Sequence, residues 1–271
     1  MKSCEKWSLT PAGTTVFRWY LLAVGVLFWG LVFTCYLLVP RENHFGFLSH
    51  SFSYLGGFDA CHNPRYWWLF SVAMTFWGLA TVPVIFYIYR HFAPISRWAA
   101  IIGTLLLLVG CVGIILVGVI PTGHSDVIGG FNWGRAHRRA GLLTATAFGI
   151  GAFWHEIMLF VDGFTDRKLG KHGYWRFVWL YTFWWTMAFL ATYYLTAWMF
   201  VYERMKTEAA AAGRQLQGSW TEALNTRYST PLWENLMIIT LFVFLTWLPL
   251  VLPGKGTADP AGKCHEHEET T

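Results

Sequence analysis

Two stretches of this chain hold most of the residue types that could do chemistry. The first runs from Arg41 to Tyr66 as R-E-N-H-F-G-F-L-S-H-S-F-S-Y-L-G-G-F-D-A-C-H-N-P-R-Y and offers His50, Ser51, Ser53, Asp59 and Asn63. The second runs from Pro121 to Arg139 as P-T-G-H-S-D-V-I-G-G-F-N-W-G-R-A-H-R-R and offers His124, Asp126, Arg135, His137 and Arg138. Three chemistries fit these groups. A zinc hydrolase needs about three His or carboxylate ligands and an open water position. His50, His124 and His137 would supply the ligands, with Asp59 or Asp126 as base or as partner to a ligand. No HExxH-type spacing accompanies them. Serine catalysis through Ser51 or Ser53 has less behind it, because there is no nucleophile elbow. The third chemistry is non-covalent. Arg135, Arg138 and Arg139 at a helix N-terminus would hold a phosphate or carboxylate, helped by the positive end of the helix dipole. Set against all three is the plain alternative that these groups cap helices at the level of lipid head groups.

The elements that must position these residues follow from composition. Of 271 residues, 55% are hydrophobic and only 13% charged. A soluble domain carries about 25% charge, so a soluble globule, a disordered chain, collagen and a disulfide mini-protein are all excluded. The 22 Phe, 17 Trp and 12 Tyr suit a bilayer, where such rings collect at both interfaces. A crossing takes about 20 mainly apolar residues. Stretches of that length between ionisable residues predict spans at about 18–40, 66–89, 98–120, 138–161, 176–202 and 234–252. In hydrocarbon every backbone polar group must be paired within its own segment, so these runs are read as helices. The expected fold is an all-α integral membrane protein: a six-transmembrane-helix bundle over residues 1–253, with a polar extracytoplasmic cap and a disordered cytoplasmic tail at 254–271.

Charge orients the bundle. The loops on one side hold 11 Lys and Arg and those on the other hold 9, a bias that places both termini in the cytoplasm. The two rich loops then share the outer side. The basic N-terminal segment precedes an apolar run too long for a signal peptide, so it reads as an uncleaved first helix. A net charge of +5 spread over the loops suits anionic lipid rather than nucleic acid. Cys35 and Cys111 fall in spans, Cys4 and Cys264 in the termini, and Cys61 in an outer loop, so no disulfide framework is implied. The tail sequence Cys264-His265-Glu266-His267 offers soft-metal ligands but reads as solvated polar chain.

Two features lie within the spans. His155-Glu156 ends the fourth run near its cytoplasmic edge, where snorkelling to the interface is the expected outcome. His137 and His155 are about 27 Å apart along one helix and cannot serve one small site. His91 with His155 is the only inner-side pair for a bis-histidine haem, which needs both ligands at one depth, and no cofactor is expected beyond a possible zinc. The third run carries Gly103, Gly110, Gly113 and Gly118, which predicts close helix packing.

From the first span to the fourth the chain resembles an uncharacterised family of small polytopic membrane proteins, loosely similar to the Frag/DRAM/Sfk group. The resemblance rests on Ser51-Phe52-Ser53-Tyr54-Leu55-Gly56, Asn63-Pro64, a Gly-rich third helix ending in Val119-Ile120-Pro121, and His137. It covers about half the chain, and Tyr54 stands where the family pattern has an acidic residue. It implies a six-helix bundle with a tie to membrane lipids, and no reaction. The expected function is therefore binding of a lipid head group, or service as an accessory subunit of a membrane complex. A metal-dependent lipid hydrolase is the alternative. A transporter is disfavoured, since neither midplane charges nor inverted repeats are evident.

Overall fold

The computed structural model describes residues 11–43, 45–47, 50–122, 127–128, 131–165, 179, 182–187, 189–190, 193, 204–205, 207–213 and 230–251. Helix α1 spans Pro11–Leu37, α2 Trp67–Phe92, α3 Arg97–Val119, α4 Trp133–Thr165, and α5 Thr230–Val251. Among the described residues, four helical segments are long and apolar enough to cross a membrane: Thr15–Leu37, Trp67–Phe92, Arg97–Val119 and Trp133–Val161. They coincide with the first four expected spans to within a few residues, and α4 starts earlier than the apolar run alone suggests. Asn132 explains that early start. Its Oδ1 accepts the Arg135 backbone N–H at 2.7 Å, the bond a helix-capping residue makes. The fifth expected span falls mostly outside the described residues, as does the tail at 254–271.

The described chain is almost wholly helical. Between the helices lie turns and irregular chain, with 3-10 turns at Arg41–Asn43 and Phe52–Gly56 and a two-residue antiparallel pair, Val127–Ile128 with Phe131–Asn132, just before α4. Neighbouring helices pack in sequence, α1 on α2, α2 on α3 and α3 on α4, with α5 against α1 and α2. The outer faces are apolar: Trp19, Leu22, Phe33, Trp98, Leu105 and Leu142 are all exposed. Such faces would drive aggregation in water and match the hydrocarbon of a bilayer.

Since lipid is as apolar as leucine, these helices gain by fitting closely rather than by escaping solvent. The α3–α4 seam is built that way. A Cβ on Gly103 would lie 2.6 Å from His155, one on Gly110 2.7 Å from Phe148, and one on Gly113 2.5 Å from the Thr144 hydroxyl. Gly151 of α4 answers with room for Leu107, and Gly118 lets α3 rest on Thr75 of α2. The close packing expected from the glycines of the third span is what the structure contains.

Candidate functional site

The loop between α1 and α2 folds as a compact knot fastened at three levels. At its base is Asn63, fully buried. Its Nδ2 donates to the Cys35 sulfur at 3.2 Å and to the Leu55 carbonyl at 3.4 Å, while its Oδ1 accepts the Tyr66 N–H at 3.3 Å. The Cys35 thiol lies 3.6 Å from the Leu55 and Tyr66 carbonyls. Asn63 thus joins α1, the 3-10 turn and the start of α2, with its polar atoms turned inward to protein. Gly56 sits where a Cβ would meet the Phe70 ring at 2.4 Å, which seats the turn directly on α2.

At the middle level the turn is bolted to α5. Asn235, also fully buried, accepts the Phe52 N–H at 2.8 Å through Oδ1 and donates through Nδ2 to the carbonyls of Phe47 at 2.9 Å and His50 at 3.0 Å. Its neighbour Glu234 accepts hydrogen bonds from Ser51 and Ser53, whose hydroxyls are 2.6 Å apart. A narrow apolar crevice adjoins this polar group. Phe28, Trp29 and Val32 of α1 line it with Phe70 and Met74 of α2, Ile238 of α5, and Phe52 from the turn itself. Phe52 therefore stands between Ser51 and Ser53 in sequence and belongs both to the polar group, through its N–H, and to the crevice. Ile238 follows Glu234 by one helical turn.

The top level is a row of rings. His50 packs at a tilt against Tyr54 at 4.2 Å between centroids, and Tyr54 against His62 at 4.4 Å. The Tyr54 hydroxyl donates to the Cys61 carbonyl at 2.6 Å and also approaches that of Asn43 at 3.1 Å. Asn43 Nδ2 donates to the carbonyls of Ala60 and His62 at 2.6 and 2.8 Å. Those bonds hold the backbone of Asp59-Ala60-Cys61-His62 in a tight turn, and the three functional side chains cluster there. His62 Nδ1 is in contact with Asp59 Oδ1, and the Cys61 sulfur is 3.6 Å from each. Burial and the adjacent Asp59 carboxylate push the Cys61 thiol above its ordinary pKa. Burial, Cys61 and Asp59 do the same to the Tyr54 phenol.

The two rich loops do meet. Gly57 bridges to Thr122 in parallel fashion, and the Phe58 N–H reaches the Thr122 carbonyl at 3.2 Å. From the second loop, His137 is buried at 7% exposure, with Nδ1 donating to the Ile120 carbonyl at 2.6 Å. Arg135, Arg138 and Arg139 lie exposed along the first turns of α4. His124 and Asp126 lie outside the described residues. In the first loop, His50 Nδ1 accepts the Gly46 N–H at 3.1 Å.

Several participants are absent from the sequence-derived set. Glu234 and Asn235 served there only as a span boundary, although two polar residues opening an apolar run are a usable signal. Cys61 and His62 stand within four residues of Asp59, a ligand-rich spacing that was readable. His155 departs from expectation. Rather than snorkelling, it is 1% exposed and turns inward, Nδ1 donating to the Gly151 carbonyl at 2.7 Å, because Gly103 leaves space for its ring and Phe92 packs against it.

Comparisons with protein families, with curated proteins and with solved structures find no match for this chain.

Proposed function

We propose that this is a six-span integral membrane protein, both termini cytoplasmic, in which the two outer loops form a polar cap that binds a membrane lipid by its head group. One observation carries this reading: the polar group of Ser51, Ser53, Glu234 and Asn235 adjoins, through Phe52, the crevice lined by Phe28, Trp29, Phe52 and Ile238. A hydrogen-bonding rim beside an apolar slot has the polarity of an amphiphile, with head-group atoms exchanging bonds at the serines and a chain lying across the apolar mouth. The exposed Arg135 and Arg138 are suited to the phosphate of such a head group. The test is native mass spectrometry of protein extracted in mild detergent. A bound phospholipid is expected, with occupancy falling at least about tenfold when Ser51 and Ser53 are both alanine or when Ile238→Trp fills the crevice, the scale of one or two lost hydrogen bonds. No lipid above the level carried by an unrelated membrane protein would refute the reading. Stoichiometric co-purification of another membrane subunit instead would favour the accessory role, for which the apolar outer faces are also fit.

A metal-dependent lipid hydrolase using His50, His124 and His137 is the second reading. It draws on His137, whose Nδ1 is engaged by the Ile120 carbonyl, so Nε2 is the nitrogen left to ligate, as in metal sites whose histidines are oriented by a carbonyl. Chelator-sensitive release of water-soluble product from phospholipid vesicles would support it.

A further inference from the structure

We infer that the turn Asp59-Ala60-Cys61-His62 is a zinc site, with the Asp59 carboxylate, the Cys61 thiolate and His62 Nδ1 as its three protein ligands. The two edges from the sulfur are those of a tetrahedral ion, while His62 Nδ1 and Asp59 Oδ1, in direct contact without one, part to about 3.3 Å to admit it. Zinc with its sulfur ligand at about 2.3 Å and its nitrogen or oxygen ligands at about 2.0–2.1 Å sets those atoms about 3.5 Å from the sulfur. Here the Cys61 sulfur is 3.6 Å from Asp59 Oδ1 and 3.6 Å from His62 Nδ1. The mixed S, N, O donor set suits zinc over calcium or magnesium, which take oxygen.

The surroundings are built to keep the donors together. Asn43 and Tyr54 bind the carbonyls of Ala60, Cys61 and His62, fixing the backbone that carries all three ligands. The Tyr54 ring lies against His62. Gly57 leaves the space His62 occupies, since a Cβ there would be 2.5 Å from the imidazole. On binding, the ion takes the place of the proton between His62 Nδ1 and Asp59 Oδ1, the imidazole then carrying its proton on Nε2. The thiol proton passes to solvent. Three protein ligands leave a fourth position for water or an anionic oxygen.

This inference stands apart from lipid binding, and either can fail without the other. The experiment is metal analysis of the full-length protein in detergent after dialysis against zinc, alongside cobalt substitution. Because the tail holds Cys264, His265 and His267, every measurement is made in a chain carrying C264S, H265A and H267A. The expected result is one zinc per chain and, with cobalt, a thiolate charge-transfer band. Cys61→Ser and His62→Ala should each weaken zinc at least about 100-fold, since even residues that only orient a ligand cost 10–100-fold. X-ray absorption at the zinc edge of the Cys61-containing chain needs no ligand variant and guards against misfolding. One sulfur at about 2.3 Å supports the site, whereas a shell of nitrogen and oxygen alone overturns it. Zinc well below one per chain, or zinc unchanged in Cys61→Ser, also overturns it.

Discussion

The knot between α1 and α2 and the seam between α3 and α4 solve the same problem by opposite means. Both bring backbone close to backbone where water is scarce. In the seam, Gly103, Gly110 and Gly113 remove side chains so that Phe148, Thr144 and His155 can enter, and shape does the holding. In the knot, Asn43, Asn63 and Asn235 bind carbonyls and N–H groups that no helix satisfies. Where loop backbone is buried its polar groups must be accounted for, and amide side chains, with two donors and an acceptor, do that compactly. The contrast suggests a division of labour. The seam is scaffold, and the knot is where polar atoms and ligand-type side chains are concentrated.

The largest expected effect is in the seam. A methyl group at Gly113 would meet the backbone of Thr144 at 2.9–3.0 Å, and backbone cannot rotate away, so α3 and α4 must part along their length. Gly113→Ala should cost about 3 kcal/mol, read as a marked drop in thermal midpoint in detergent. A melt matching the parent protein would mean that the two helices are not in this register. In the knot, Asn235→Ala removes three hydrogen bonds from a fully buried site. Stranding the Phe52 N–H and two carbonyls should cost about 2–3 kcal/mol and free the turn from α5. Limited proteolysis within 45–55 should then quicken while the seam is undisturbed, and cleavage spreading evenly over all loops would argue against a separate knot. Asn63→Ala should follow at about 1–2 kcal/mol, because one of its acceptors is a sulfur, a weak partner.

The sequence makes the seam easier to read than the knot for a physical reason. Helix crossings announce themselves by length and apolarity, and four of the expected spans coincide with helices suited to crossing. Glycines at Gly103 and Gly110 share a face by simple periodicity. The knot depends on partners far apart in the chain: Asn235 reaches Phe52 across 183 residues, and nothing local to either predicts the pair. The meeting of the two loops was expected, but the bridge between Gly57 and Thr122 could not have been named. His155 shows the limit from the other side. Its charge type and its place near a helix end suggest an outward course, and the vacancy at Gly103 on a different helix reverses it.

The smallest effect expected tests whether the division between shape and polarity is strict. Gly57 belongs to the knot, and its φ of −78° is open to any residue, so backbone freedom is no reason for a glycine there. Space is: a Cβ would lie 2.5–2.7 Å from three atoms of His62. Gly57→Ala should therefore cost about 1–2 kcal/mol by crowding, because a short turn carrying His62, unlike a whole helix at Thr144, has to shift. If crowding is the cause, His62→Gly in the same chain, which removes the Cβ as well as the ring, should restore most of the loss, giving a coupling of about 1 kcal/mol in a double-mutant cycle. Additive losses would instead place the strain in the Gly57–Thr122 bridge, making Gly57 part of the hydrogen-bonded frame and leaving His62 indifferent to it.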